Sequence, residues 1–153
     1  MLESSFTLLR DIGEIILKED ESIRFSIDAY HGYRYVSVRR YLKTNAFAGA
    51  TRDGITMTPE IVQALAPKIL SLPDNETELK EGIFGKFAKR AGICIVSSIA
   101  SFHGARGLDL RQWEEDKGFT KKGIWIPLDK LPEVKRLFQL TLDALNERPE
   151  VDF

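Results

Sequence analysis

Tyr30, Arg39 and Tyr41 recur 72 residues later as Phe102, Arg111 and Trp113, and Arg52 recurs as Lys121 and Lys122. Rings interleaved with cations at fixed spacing suit one kind of chemistry. A π-face stacks on an unpaired base at about 1–3 kcal/mol each, while guanidinium and ammonium groups neutralise the neighbouring phosphates. Neither contact demands a particular base sequence.

These residues sit in a phrase that is written twice. "HGYRYVSVRRY" (His31 to Tyr41) and "HGARGLDLRQW" (His103 to Trp113) share His, Gly and two Arg, with Val36/Leu108, Val38/Leu110 and Tyr41/Trp113 conservative. Upstream at the same offset, Ile23 meets Ile95, Ser26 meets Ser98, Ile27 meets Ile99 and Tyr30 meets Phe102. Downstream, "RDGITMTPE" meets "KKGIWIPLD" after a three-residue deletion in the preceding loop. Self-similarity of this length marks a repeated structural unit, here of about 60 residues.

Other chemistries find little support. His31 and His103 each precede Gly at an expected turn, and no carboxylate recurs at a fixed offset from them, so they form no acid–base or metal pair. Cys94 is the single cysteine and lies in the apolar run "GICIV", the setting of a buried structural thiol. An intramolecular disulfide is excluded, and a zinc site lacks its ligand cluster. The expectation is a non-enzymatic binding protein with no cofactor and no metal.

Within each unit the apolar period is two, then 3.6. Ile23, Phe25, Ile27 and Ile93, Ile95, Ile99 read as half-buried strands. Val36, Val38 and Leu108, Leu110 repeat the pattern after the His-Gly turn. Loops "KTNAFAGATRDG" and "EEDKGFTKKG" lead to short strands "ITMT" and "IWIP", while "IGEIIL" and "FGKFAK" supply first strands. Thr58 then Pro59 reads as a helix N-cap and first residue, with Ile61, Leu65 and Ile69 as the apolar stripe and Pro67 expected to kink or shorten the helix. "LPEVKRLFQLTLDAL" gives a longer helix with Val134, Leu137, Phe138, Thr141 and Leu145 on one face.

The fold class is therefore α+β: two tandem ββββα units with curved antiparallel sheets, over residues 1–72 and 83–146, joined by an acidic linker 73–82 and followed by an acidic tail 147–153. A sheet of this size with one helix buries too little alone, so the units should pack as an intramolecular pseudo-dimer. Strand parity puts Val36, Val38, Leu108 and Leu110 towards the helices. Tyr30, Arg39, Tyr41, Phe102, Arg111 and Trp113 fall on the opposite, open face, and Trp125 shares that parity as either a further stacking platform or packing between repeats. The competing placement seals the rings between the repeats and pairs Arg39 and Arg111 with acids such as Asp109.

Composition permits both. Hydrophobic residues are 43% and charged residues 29%, ordinary for a globular domain. Net charge is -1, which argues against a polyanion partner until the distribution is seen. Residues 30–54 carry five Lys or Arg against one Asp, whereas 73–82 and 143–153 each carry four acids against one base. A basic face can thus exist on a neutral chain. No apolar run approaches a membrane span and the start lacks a secretory pattern, so the expected location is the cytoplasm, or the nucleoid in a bacterium.

"FSIDAYHGYRYVSVRRY" with "RDGITMTPE", and "LDLRQW" with "TKKGIWIPLDKLPEV", resemble the single-stranded-DNA-binding domain of the transcriptional positive cofactor four family (transcriptional coactivator p15), twice over, across residues 12–72 and 83–146. The resemblance implies a curved four-stranded sheet with one helix, paired across a two-fold, gripping single strands in grooves on the sheet. It places the family's aromatic before the turn on Tyr30 and Phe102, and its turn Lys on His31 and His103. Its strand Arg falls on Arg39 and Arg111, and its following aromatic on Tyr41 and Trp113. Its basic pair before Gly falls on Arg52 and on Lys121 and Lys122. Asp53 departs from that pair, the loop near Gly49 lacks a Lys, and the Trp of some relatives is Leu42 or Glu114 here. Either the first unit binds weakly or the two grooves differ. The implied partner is single-stranded DNA, in transcription or DNA maintenance, with single-stranded RNA and a scaffold for the transcription machinery as alternatives. The chain would act as a monomeric pseudo-dimer or in a further homo-oligomer.

Overall fold

Alternation of Ile23, Phe25 and Ile27 with Arg24 and Ser26 gives a strand one side of which must leave water. In the computed structural model, which describes residues 6–147, this strand is β2 (Glu21–Tyr30), paired between β1 (Thr7–Lys18) and β3 (Tyr33–Lys43), with β4 (Ala48–Met57) beyond β3. Helix α1 (Pro59–Leu70) follows. A short 3-10 turn at Glu76–Glu78 then leads to a second antiparallel sheet of β5 (Gly82–Arg90), β6 (Ile93–Phe102), β7 (Ala105–Glu114) and β8 (Gly118–Pro127), closed by α2 (Leu131–Asn146). The tandem ββββα architecture expected from the repeat is the one that forms. Of the acidic tail, residues 148–153 lie outside the described part.

Each central hairpin closes through two residues. His31 and His103 both have φ 51° and Gly32 and Gly104 both have φ 81°, the doubly left-handed turn whose twist matches that of the flanking strands. Glycine adopts this freely and histidine more readily than most residues. The histidines are exposed turn formers. From this turn the register β2–β3 runs unbroken from Tyr30↔Tyr33 to Glu21↔Leu42, and β6–β7 runs from Phe102↔Ala105 to Ile93↔Glu114. The outer pairings carry every bulge.

Three expectations need correction. The loops before "ITMT" and "IWIP" are much shorter than their polar composition suggests, since only 44–47 and 115–117 lie outside strands. Bulges opposite Arg40 and Gln112 absorb the extra residues, so the hairpins continue. Pro67 does not stop α1: it falls in the last turn, and Ser71 N–H closes that turn on the Pro67 carbonyl at 3.1 Å. Thirdly, Ile93 is only half-buried, and the core position matching Phe25 is taken by Ser97, wholly buried. The volume is restored across the strand pair, because Phe87 replaces Ile15 and a Cβ on Gly85 would stand 2.7 Å from both the Phe87 ring and Ser97 Oγ.

The helices do not each cover their own sheet alone. α2 packs on β1 and β2 of the first unit, and α1 touches β5 of the second as well as β3 and α2. The Phe138 ring of α2 meets Phe25 of β2 edge-on at 5.2 Å, both fully buried. A Cβ on Gly13 would stand 2.7 Å from Leu137 Cδ2, so glycine is what lets α2 approach β1. Thr58 caps α1 by accepting from Ile61 N–H at 3.2 Å, as its place before Pro59 indicates. The inner faces of both sheets and both helices form one apolar cluster.

A shared core of this kind unfolds as one unit. Phe138→Ala should cost about 3–5 kcal/mol. Because both tryptophans lie in the second unit, urea curves followed by tryptophan fluorescence and by far-ultraviolet circular dichroism should coincide. Two separated transitions would show that the units fold independently.

Candidate nucleic-acid interface

The same local device builds the outer face of each sheet. Arg39 pairs with Gly54 and Arg111 with Gly123 across the strands. A Cβ at Gly54 would stand 2.7 Å from Arg39 Cζ, and one at Gly123 would stand 2.9 Å from Arg111 Cζ, so each arginine lies flat over a glycine. The guanidinium then donates to a carbonyl in the bulge, Arg39 to Thr51 at 3.1 Å and Arg111 to Thr120 at 3.0 Å. Each bulge is pinned by its threonine. Thr51 Oγ1 donates to the Arg40 carbonyl at 3.0 Å and accepts from Asp53 N–H, and Thr120 Oγ1 donates to the Gln112 carbonyl at 2.9 Å and accepts from Lys122 N–H. Arg52, Lys121 and Lys122 are thereby held out into solvent.

On the first sheet the outer face carries Arg24 directly opposite Arg39, and Ser22 opposite Tyr41. Arg24 is drawn towards Glu14 at 3.4 Å and lies 4.4 Å over the Tyr41 ring, covering one of its faces. Tyr30 likewise has a partner, stacked on Phe6 at 4.6 Å with 24° between the planes. Among the described residues no carboxylate comes within ion-pair distance of Arg39. Asp28 shares the groove, and burial pushes its carboxyl above the usual aspartate range, partly offset by a hydrogen bond from Ser26 and by the Arg39 charge.

The second face inverts that pattern. Asp109 engages Arg111 through both oxygens, at 3.0 Å from Nε and 2.9 Å from Nη2, so the acid pairing expected as an alternative holds for Arg111 and not for Arg39. Its rings are less encumbered. Phe102 is 56% and Phe119 57% exposed. Trp113 stands beside Cys94, Val96 and Phe119 in a small apolar cleft. Trp125 lies on this open side, its Nε1–H donating to the Ala100 carbonyl at 3.0 Å and its ring 5.6 Å from that of Phe102. Arg40 reaches over from the first unit, paired with Glu21 and donating to the Trp125 carbonyl at 3.2 Å. Cys94 is half-buried on the open face, not within the core.

The eleven residues singled out from the sequence therefore divide. Tyr30, Arg39, Tyr41, Phe102, Arg111 and Trp113 lie on helix-free faces, Arg52, Lys121 and Lys122 project from the bulges, and His31 and His103 stand at the hairpin tips. Sequence reasoning missed Lys89 and Arg90 at the β5–β6 turn. Between β4 and β8 they join Arg39, Arg52, Lys121 and Lys122 around a trench of about 610 Å³. Lys89 donates to Gln112 Oε1 at 3.2 Å, and burial, then the charges of Arg90 and Lys122, push its ammonium pKa down. Their signal was the adjacent pair "KR" ending a strand, where the first unit has Leu17 and Lys18.

No protein-family model matches this sequence, and no curated protein matches it. Solved structures resemble the fold only loosely. WHY1 from Arabidopsis thaliana is similar over 95% of this chain and 88% of its own, with a TM-score of 0.43 and 9% identity. WHY3 from Arabidopsis thaliana is similar over 87% and 88%, with a TM-score of 0.41 and 10% identity. The plant transcriptional regulator PBF-2 is similar over 99% and 92%, with a TM-score of 0.34 and 11% identity. The site stands on its own geometry.

Two substitutions separate the arginine from the fold. The three atoms nearest to a Cβ at Gly54 all belong to the Arg39 side chain, so Gly54→Ala should displace it with a melting temperature near that of the parent, whereas Gly123→Ala would stand 2.6 Å from the Leu110 carbonyl and should lower the melting temperature by several degrees. Calorimetry of the pair checks this, and equal melting temperatures would refute it. For Asp28 the raised pKa means that the folded state holds the proton more tightly. Its contribution is full below the unfolded pKa and is lost as pH rises through the folded one. Asp28→Asn should therefore melt higher than the parent at pH 7, the gap narrowing as the pH falls towards about 4.

Proposed function

We propose that this protein is a non-enzymatic single-stranded-DNA-binding protein acting in transcription or DNA maintenance. The observation that carries this reading is that each sheet keeps one face free of helix, and that face holds aromatic rings beside arginine and lysine. The rings are not sealed between the units, as a purely structural role would require. Bases would stack mainly on Phe102, Trp113, Trp125 and Phe119, and phosphates would meet Arg39, Arg52, Lys121 and Lys122. The duplicated resemblance to the coactivator family, in residues 12–72 and 83–146, supports the transcriptional setting.

Both tryptophans stand on the second outer face, so base stacking there should quench intrinsic fluorescence. Titration with labelled oligothymidylate at low salt should give saturable anisotropy, and a Kd weaker than about 100 μM would end the proposal, being at the edge of non-specific binding. Arg111→Ala combined with Trp113→Ala should weaken binding at least about tenfold, since one lost stack is worth about 1–3 kcal/mol. Unchanged affinity would show that the strand lies elsewhere.

A further inference from the structure

The trench between the units holds six cations, Arg39, Arg52, Lys89, Arg90, Lys121 and Lys122, against the single acid Asp53. Among the described residues none of the six lies within ion-pair distance of a carboxylate, although the ion pairs Arg10–Glu147, Arg40–Glu21, Arg111–Asp109 and Lys135–Asp74 show acids distributed widely elsewhere. On a chain of net charge -1 this concentration is costly unless an anion enters it. The feature is also one-sided. At the related place across the molecule Leu17 and Lys18 replace Lys89 and Arg90, Asp53 stands where Lys122 would, and Arg40 is neutralised by Glu21.

The trench is continuous with both outer faces. Arg39 and Thr56 line it and also the groove on the first face, while Asp53 and Lys121 line it and also the groove beside Phe102, Arg111 and Trp125. A polyanion leaving one sheet therefore meets a wall of cations, broken only by Asp53 at the junction with the second groove, before it reaches the other.

We propose, building on the single-stranded-DNA reading, that one strand runs continuously from the first face through this trench onto the second. One chain then binds one strand, with phosphates crossing between Arg39 and Arg52 on one wall and Lys89, Arg90 and Lys122 on the other. The two faces are successive stations on one path, the first dominated by guanidinium groups and the second by rings, rather than two equivalent sites for two strands.

The test compares two oligothymidylates, one of about 6 nucleotides, enough for one face, and one of about 18, enough for both. Binding of each to the full chain is measured by anisotropy over a salt series, and stoichiometry by native mass spectrometry. Lys89→Gln combined with Arg90→Gln should weaken the long oligonucleotide at least fivefold more than the short one. It should also flatten the salt slope for the long one by about 1.4, at about 0.7 per lost phosphate contact. One long strand per chain is expected. Equal losses at both lengths, no loss at either, or two long strands per chain would overturn the continuous path while leaving single-strand binding intact. Failure of the parent chain to bind either length would remove both.

Discussion

The decisive constraint is that both helices are spent on one side. α1 and α2 lie together against the inner faces of both sheets, with Phe138 on Phe25 and Leu137 seated over Gly13. Neither sheet buries enough apolar surface with its own helix alone, so the helices reach across the units. Among the described residues no further α-helix remains to cover the outer faces. Their openness is a consequence of how the core is satisfied, and the side chains that parity sends outward meet solvent, a ligand or one another, as Arg24 meets Tyr41.

What those faces present is set by a small backbone device used twice. A threonine pins a bulge, the bulge pushes its basic residues outward, and the following glycine leaves the space over which an arginine can lie. Each part depends on the next. The glycine is conformationally ordinary in both copies, and its role is the absence of a side chain beneath the arginine. Holding the guanidinium flat to a carbonyl reduces the rotamer freedom that a long side chain would otherwise lose on meeting a phosphate.

Much of this was legible from residue types. The two-residue period, the His-Gly turns and the Thr58-Pro59 start read directly, because each depends on local backbone chemistry. The strand lengths after Lys43 and Glu114 did not, since a bulge hides inside a polar run that looks like a loop. Ser97 in the core was unreadable alone: it is tolerated because Phe87, across the strand pair, fills the volume. The crossing of helices and the meeting of Lys89 and Arg90 with Arg52 and Lys122 depend on how the two units dock, which no period within one unit records. The division of labour between faces was half visible in Asp53, and the covering of Tyr41 by Arg24 and of Tyr30 by Phe6 was not.

The join between the units has a further effect. Arg106 donates to the carbonyls of Glu76 and Leu79, and Lys135 holds Leu72 and Asp74, so the connecting segment is fastened to the second unit's β7 and α2. In an assembly of identical subunits every substitution is made twice, and a pocket cannot gain a charge without its mirror image gaining it too. Covalent continuity lifts that restriction. Arg24 against Val96, Asp28 against Ala100 and Leu17 against Lys89 are differences that two identical subunits could not hold, and they give the molecule a direction that a symmetric one would lack.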